Sequence, residues 1–254
     1  MVYRLDHSTY QLAYAESRIE QPILWENHCH AQFEMILVEE GDITVTVEGK
    51  RYRLKKSQGV VIPPLLYHSV TANEEGIYRR ITALFGIDAI PSVLQDEFTN
   101  REREVAVDCT HIDKLKDICQ RDIPPFYAPL LQGLMIEIFY DALRMPQTPA
   151  NLETDEFLQR TFQYIDLHLH EKILLDDLAQ YTLRSKSSFC HLFEEKMSIS
   201  PKQYILQKKL ALASKLISEG TAPTVAAMKI GYDNYSNFYR LYRKRFESNP
   251  THKD

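Results

Sequence analysis

Two helix breaks of the same kind near the C-terminus constrain this chain more than any other feature. Residues 175–181 read as a short helix with Asp176 and Asp177 in its first turn, where the helix dipole favours carboxylates. A break at 182–184 leads into a second helix at 185–196. The pattern then repeats as a helix at 223–230, the break Gly231-Tyr232-Asp233-Asn234, and a helix at 235–246. Two short helices joined by a brief turn form a helix-turn-helix, whose second helix can enter the major groove of DNA. Between the pairs, Ser200-Pro201 opens a long helix with a capping serine and a proline at the first helical position, and Gly220 closes it. That spacer is roughly 25 Å long, compatible with readers placed in adjacent turns of DNA about 34 Å apart. In the first reader Phe189, Leu192 and Phe193 face inward, leaving Lys186, Ser187, Cys190 and His191 outside. In the second, Phe238, Leu241 and Tyr242 face inward, leaving Ser236, Asn237, Arg240, Arg243 and Lys244 outside.

The front of the chain has a different period. Residues 33–39 form a nearly continuous apolar run, as in a strand covered on both faces. A turn at Gly41 precedes the strict alternation of 43–47, and Glu48-Gly49-Lys50 is a hairpin turn into 51–54. A further strand, 60–62, stops at Pro63-Pro64, because proline cannot donate to a ladder. Short strands with frequent turns indicate a barrel or a sandwich. Helical spacing follows at 111–121 and 130–144, the latter with a wide stripe of Leu130, Leu131, Leu134, Met135, Ile138, Phe139 and Leu143. Such a stripe packs on the barrel or forms a dimer seam, and a homodimer through Leu131, Leu134, Met135, Ile138 and Phe139 is expected. The chain is thus read as an α+β two-domain protein. A β-barrel spans 1–108, a helical dimerisation or packing segment 109–145, a linker 146–154, and an all-α double helix-turn-helix domain 155–254.

Charge separates the same two halves. The net charge is −5, yet residues before 153 carry 22 acidic and 15 basic side chains, whereas 183–254 carry 13 basic and 6 acidic. A basic back segment suits a polyanion, and a solvated charged face is the alternative. Cys29, Cys109, Cys119 and Cys190 include no Cys-x-x-Cys pair, which argues against a disulfide framework or a zinc knuckle. With no apolar run of spanning length and no signal-like start, a cytoplasmic protein without membrane contact is expected.

The back third resembles the AraC/XylS family of bacterial regulators. The resemblance rests on Leu175-Asp-Asp-Leu-Ala179, Ser185-Lys-Ser-Ser-Phe189 with Leu192-Phe193, Ile199-Ser-Pro-Lys-Gln-Tyr-Ile205, Gly231-Tyr-Asp-Asn-Tyr-Ser236 with Phe238, and Arg240-Leu-Tyr-Arg-Lys244 with Phe246. The family glycines before Ile199 and after the last helix are replaced by Ser198 and Glu247, and its usual leucine before the first reader by Arg184. The resemblance implies that Ser187, Cys190 and His191 face DNA in the first unit, and Ser236, Asn237 and Arg240 in the second. Arg240 suits base reading because a guanidinium pairs bidentately with guanine O6 and N7. Lys186, Arg243, Lys244 and Arg245 suit phosphates.

His28-Cys-His30, Glu34 and Gly41, then Gly59, Pro63 and His68, resemble the two cupin motifs in order and spacing. In metal-binding cupins the corresponding three histidines and glutamate converge on one cation. Strand alternation would put His28, His30 and Glu34 on one face. The glycine usual in the second motif is Leu65 here, so no metal or other cofactor is expected. Trp25, His28, His30, Glu34, Tyr67 and His68 are instead read as lining a small-molecule pocket, suited to a sugar or an aromatic ligand. A metal centre and purely structural histidines remain the alternatives.

These readings predict a transcriptional regulator, not an enzyme, that binds double-stranded DNA and senses a small-molecule effector, with RNA polymerase as a further candidate partner. The alternative is a metal-dependent cupin isomerase or dioxygenase carrying a DNA-binding tail. No Ser-His-Asp arrangement, phosphate-cradling glycine loop or His-Glu-x-x-His helix supports catalysis.

Overall fold

A computed structural model of the chain describes residues 2–6, 10–25, 27–99, 103–106, 109–120, 127–144 and 155–251. Its described residues divide into two compact units, one holding the strands and the first three α-helices, the other the remaining helices together with His28–Ala31 and Leu65–Tyr67. The linker expected at 146–154 lies outside the described residues.

The front unit runs β1 (Val2–Asp6), β2 (Tyr10–Ile19), β3 (Ile23–Leu24), β4 (Phe33–Glu40), β5 (Ile43–Val47), β6 (Lys50–Leu54), β7 (Gln58–Ile62), β8 (His68–Ala72), β9 (Gly76–Phe85), α1 (Gln95–Thr99), β10 (Arg103–Ala106), α2 (Cys109–Gln120) and α3 (Tyr127–Arg144). Among the described residues the strands make two separate sheets, ordered β1-β2-β9-β4-β7-β10 and β3-β8-β5-β6, with no strand pairing that closes them into a barrel. The hairpin between β5 and β6 falls where expected. Val47 pairs with Lys50, and Glu48 and Gly49 both take positive φ (44° and 83°), the twist a two-residue connection requires. β4 is buried along most of its length, at the centre of the larger sheet between β9 and β7. The long strands β2 and β9 are the frame of that sheet, pairing over ten residues. Their alternation is diluted by Glu16, Arg18, Arg79 and Arg80, so sequence periodicity alone gives them little weight.

Helix α3 corrects the dimer reading. Leu131, Leu134, Met135, Ile138 and Phe139 are each no more than 3% exposed and belong to one core with Leu12, Met35, Ile81, Phe85 and Leu115. The stripe is wide because sheet strands and α2 share it, which leaves none of these five side chains for a second copy. The same helix exposes Leu130, Ile136 and Tyr140 on its other side.

The back unit consists of α4 (Glu156–Leu167), α5 (Leu175–Tyr181), α6 (Lys186–Met197), α7 (Pro201–Ser218), α8 (Pro223–Lys229) and α9 (Tyr235–Phe246). Asp155 caps α4 by accepting from the amides of Phe157 and Leu158. Ser200 and Gln203 close a reciprocal capping box at the start of α7, with Pro201 at its first position. Phe162, Leu178, Phe189, Phe193, Tyr204, Ala213, Ala226, Phe238 and Tyr242 form the shared core. Leu192 and Leu241, read as inward, are only half-buried at the core's edge, as are Leu206 and Leu216 on α7.

Candidate DNA-reading face and sensor pocket

Both reader helices begin with a side-chain cap that leaves their first turns open to solvent. Ser185 Oγ accepts from the Ser188 amide at 3.3 Å, and Asn234 Oδ1 accepts from the Asn237 amide at 3.1 Å. On α6, Lys186, Ser187 and His191 are exposed and Cys190 is half-buried. Lys186 Nζ donates to Asp176 at 2.8 Å, and this carboxylate raises the ammonium pKa. On α9, Ser236, Asn237, Arg240, Arg243 and Lys244 are all exposed. Arg240 Nη2 donates to Asn237 Oδ1 at 3.0 Å, one turn back along the helix, and no carboxylate pairs with it among the described residues. A neutral amide partner steers the guanidinium without neutralising it, which suits a group meant to pair elsewhere.

The replaced glycines leave the backbone unchanged. Ser198 (φ 53°) and Glu247 (φ 54°) end α6 and α9 in the left-handed conformation, each donating its amide back to the helix. Glycine takes this conformation freely, whereas a side chain costs about 1–2 kcal/mol there.

Of the six expected pocket residues, Glu34 and His68 meet in the front unit, both buried, with His68 Nε2 2.9 Å from Glu34 Oε2. His28 and His30 belong with the other unit, their ring centroids 5.6 Å apart, and they share no strand with Glu34 because β4 begins only at Phe33. Leu65 sits at φ 67° and donates its amide to the His30 carbonyl at 2.9 Å. The leucine therefore adopts the conformation of the glycine it replaces, and the physical reason for expecting a metal-free motif falls away.

Tyr67 is buried, and Trp25 is half-buried with its ring 5.6 Å from that of Tyr78. Tyr78 and Arg80, on β9, were not singled out by sequence. The Tyr78 hydroxyl is buried with no hydrogen-bond partner among the described residues, and burial raises its pKa well above the usual phenol value. The Arg80 guanidinium lies over both rings, 4.7 Å from Tyr78 and 5.5 Å from Trp25. Their alternation along a strand was visible, but that they meet Trp25 across the sheet was not.

Residues 178–253 match the helix-turn-helix domain family, and residues 21–81 match the cupin domain family. Together with the geometry these define the class, an AraC-type helix-turn-helix domain behind a cupin domain. In both matched stretches the chain resembles the AraC/XylS family. It is 36% identical over 89 residues to the probable transcriptional regulator LumQ of Photobacterium leiognathi, a match covering 35% of this chain and 36% of LumQ, so it spans well under half of that relative's length. It is 21% identical over 225 residues to the uncharacterized HTH-type transcriptional regulator YobQ of Bacillus subtilis, covering 87% of this chain and 85% of YobQ. A crystal structure of ToxT from Vibrio cholerae aligns with 96% of this chain and 97% of its own, at 10% identity and a TM-score of 0.47.

Proposed function

We propose that the protein is a transcriptional regulator that reads duplex DNA with α6 and α9 and responds to a small molecule held by its cupin domain. The observation that carries the reading is the pair of capped reader helices, each presenting polar and cationic side chains to solvent. Arg240 is assigned to base reading, and Ser187, Cys190, His191, Ser236 and Asn237 to the same surface. Lys186, Arg243 and Lys244 are assigned to phosphates, which position a protein without reading sequence. The sensor site is centred on Glu34 and His68 of the front unit, extended by Trp25, Tyr78 and Arg80. The unpartnered Tyr78 hydroxyl supports a ligand with a hydrogen-bonding group, because burying a polar atom without a partner is unfavourable.

Relatives named as regulators favour this reading over a catalytic cupin. No helix among the described residues is long and apolar enough to cross a membrane. Selecting bound fragments from genomic DNA with the full chain tests the reading. Recovery of one recurrent sequence supports it, and uniform recovery of all fragments overturns sequence-specific binding.

A further inference from the structure

A groove with a volume of about 550 Å³ lies between the two helix-turn-helix units, floored by one face of α7. Four lysines line it, Lys172, Lys186, Lys202 and Lys209, against two carboxylates, Asp176 and Asp233. Lys209 is buried and committed to backbone carbonyls, and Lys186 is paired with Asp176. Lys172 and Lys202 are exposed and have no ion pair among the described residues. These two ammonium groups approach the groove from different elements, the turn before α5 and the first turn of α7.

The groove also opens onto the first turns of both readers, at Lys186 on α6 and at Asn234 and Asn237 on α9. Helix N-termini carry partial positive charge, and two such ends beside two unpaired lysines make a site for anions. Geometry indicates which anion reaches it. When two linked helices occupy successive major grooves on one face of a duplex, the phosphates flanking the intervening minor groove face the spacer between them.

We propose that this groove seats the DNA backbone between the two reading sites, with Lys172 and Lys202 as its phosphate-binding cations. The proposal rests on the DNA-reading function above and adds a backbone interaction that neither reader helix supplies. It also gives α7 a second role, as a floor that sets how closely the duplex approaches both readers.

Salt dependence of binding tests it. The slope of log affinity against log salt grows by about 0.9 in magnitude for every phosphate that the protein neutralises. The full chain is titrated with a mixed-sequence duplex of several helical turns across a salt series. Lys172→Ala/Lys202→Ala should lower the slope by about two and weaken operator and scrambled duplexes alike. Lys215→Ala is the control, because Lys215 lies on α7 outside the groove and pairs with Glu219. An unchanged slope in the double variant, or an equal fall in the control, overturns the groove assignment while leaving DNA binding intact. Failure of the unaltered chain to bind any duplex overturns the functional reading itself. Circular dichroism of each variant distinguishes a weakened interface from an unfolded chain.

Discussion

The Nζ of Lys209 donates to the backbone carbonyl of Ile230 at 2.6 Å, from a side chain buried beneath the two reader units. The same ammonium also donates to the carbonyl of Glu171, so one side chain on α7 ties the end of α8 to the turn before α5. The chain is tight at this point. A Cβ on Gly231, which sits at φ 77°, would lie 2.7 Å from the Glu171 carbonyl carbon. Burial pulls the Lys209 ammonium down to about 8, which keeps it largely charged at neutral pH and able to serve both carbonyls. The relation between the two readers therefore depends on an internal clamp as well as on the length of α7.

Lys209→Met, which keeps the bulk and removes the donor, should cost about 2 kcal/mol by leaving two carbonyls without their partner. Gly231→Ala should cost a similar amount through the close approach and the positive φ. Both are read from thermal unfolding followed by circular dichroism. An unchanged midpoint for Lys209→Met would mean that water replaces the ammonium and that no clamp exists.

Arg240→Ala should cost about 1–3 kcal/mol of affinity on the selected operator and relax preference at one base position. Lys244→Ala should weaken every sequence similarly. Gel shifts on the operator and on a scrambled duplex distinguish the two. Equal losses on both duplexes for Arg240→Ala would make that residue a phosphate binder.

Ser198→Gly and Glu247→Gly should each stabilise the protein by about 1 kcal/mol, because glycine removes the cost of holding a side chain in the left-handed region. Chemical denaturation of each variant reads this directly. Destabilisation by either change would show that the side chain makes a compensating interaction.

Much of the molecule is legible in its residues. Helix boundaries at 175–181 and 235–246 match those in the structure, since capping residues, prolines and apolar spacing act locally on the backbone. The β5–β6 hairpin is fixed in the same way by Glu48 and Gly49. What an apolar stripe packs against is a different matter. The same Leu134 and Ile138 serve a dimer seam or an internal core equally well, and only the position of the sheet beneath α3 decided for the core. Motif glycines carry a similar ambiguity. Leu65, Ser198 and Glu247 read as departures, yet all three hold positive φ, because surrounding hydrogen bonds and packing outweigh a local preference of about 1–2 kcal/mol. The sensor site shows the division most clearly. His28, His30, Glu34 and His68 are identifiable by type and spacing, but that Glu34 and His68 meet, 34 residues apart in sequence, is decided by the packing of β4 and β8 in the front unit. The pairing of Tyr78 and Arg80 with Trp25, and the Lys209 clamp, depend on residues distant in sequence. Sequence determines local conformation because its causes lie within a few residues, whereas which surfaces meet is decided by the packing of the whole chain.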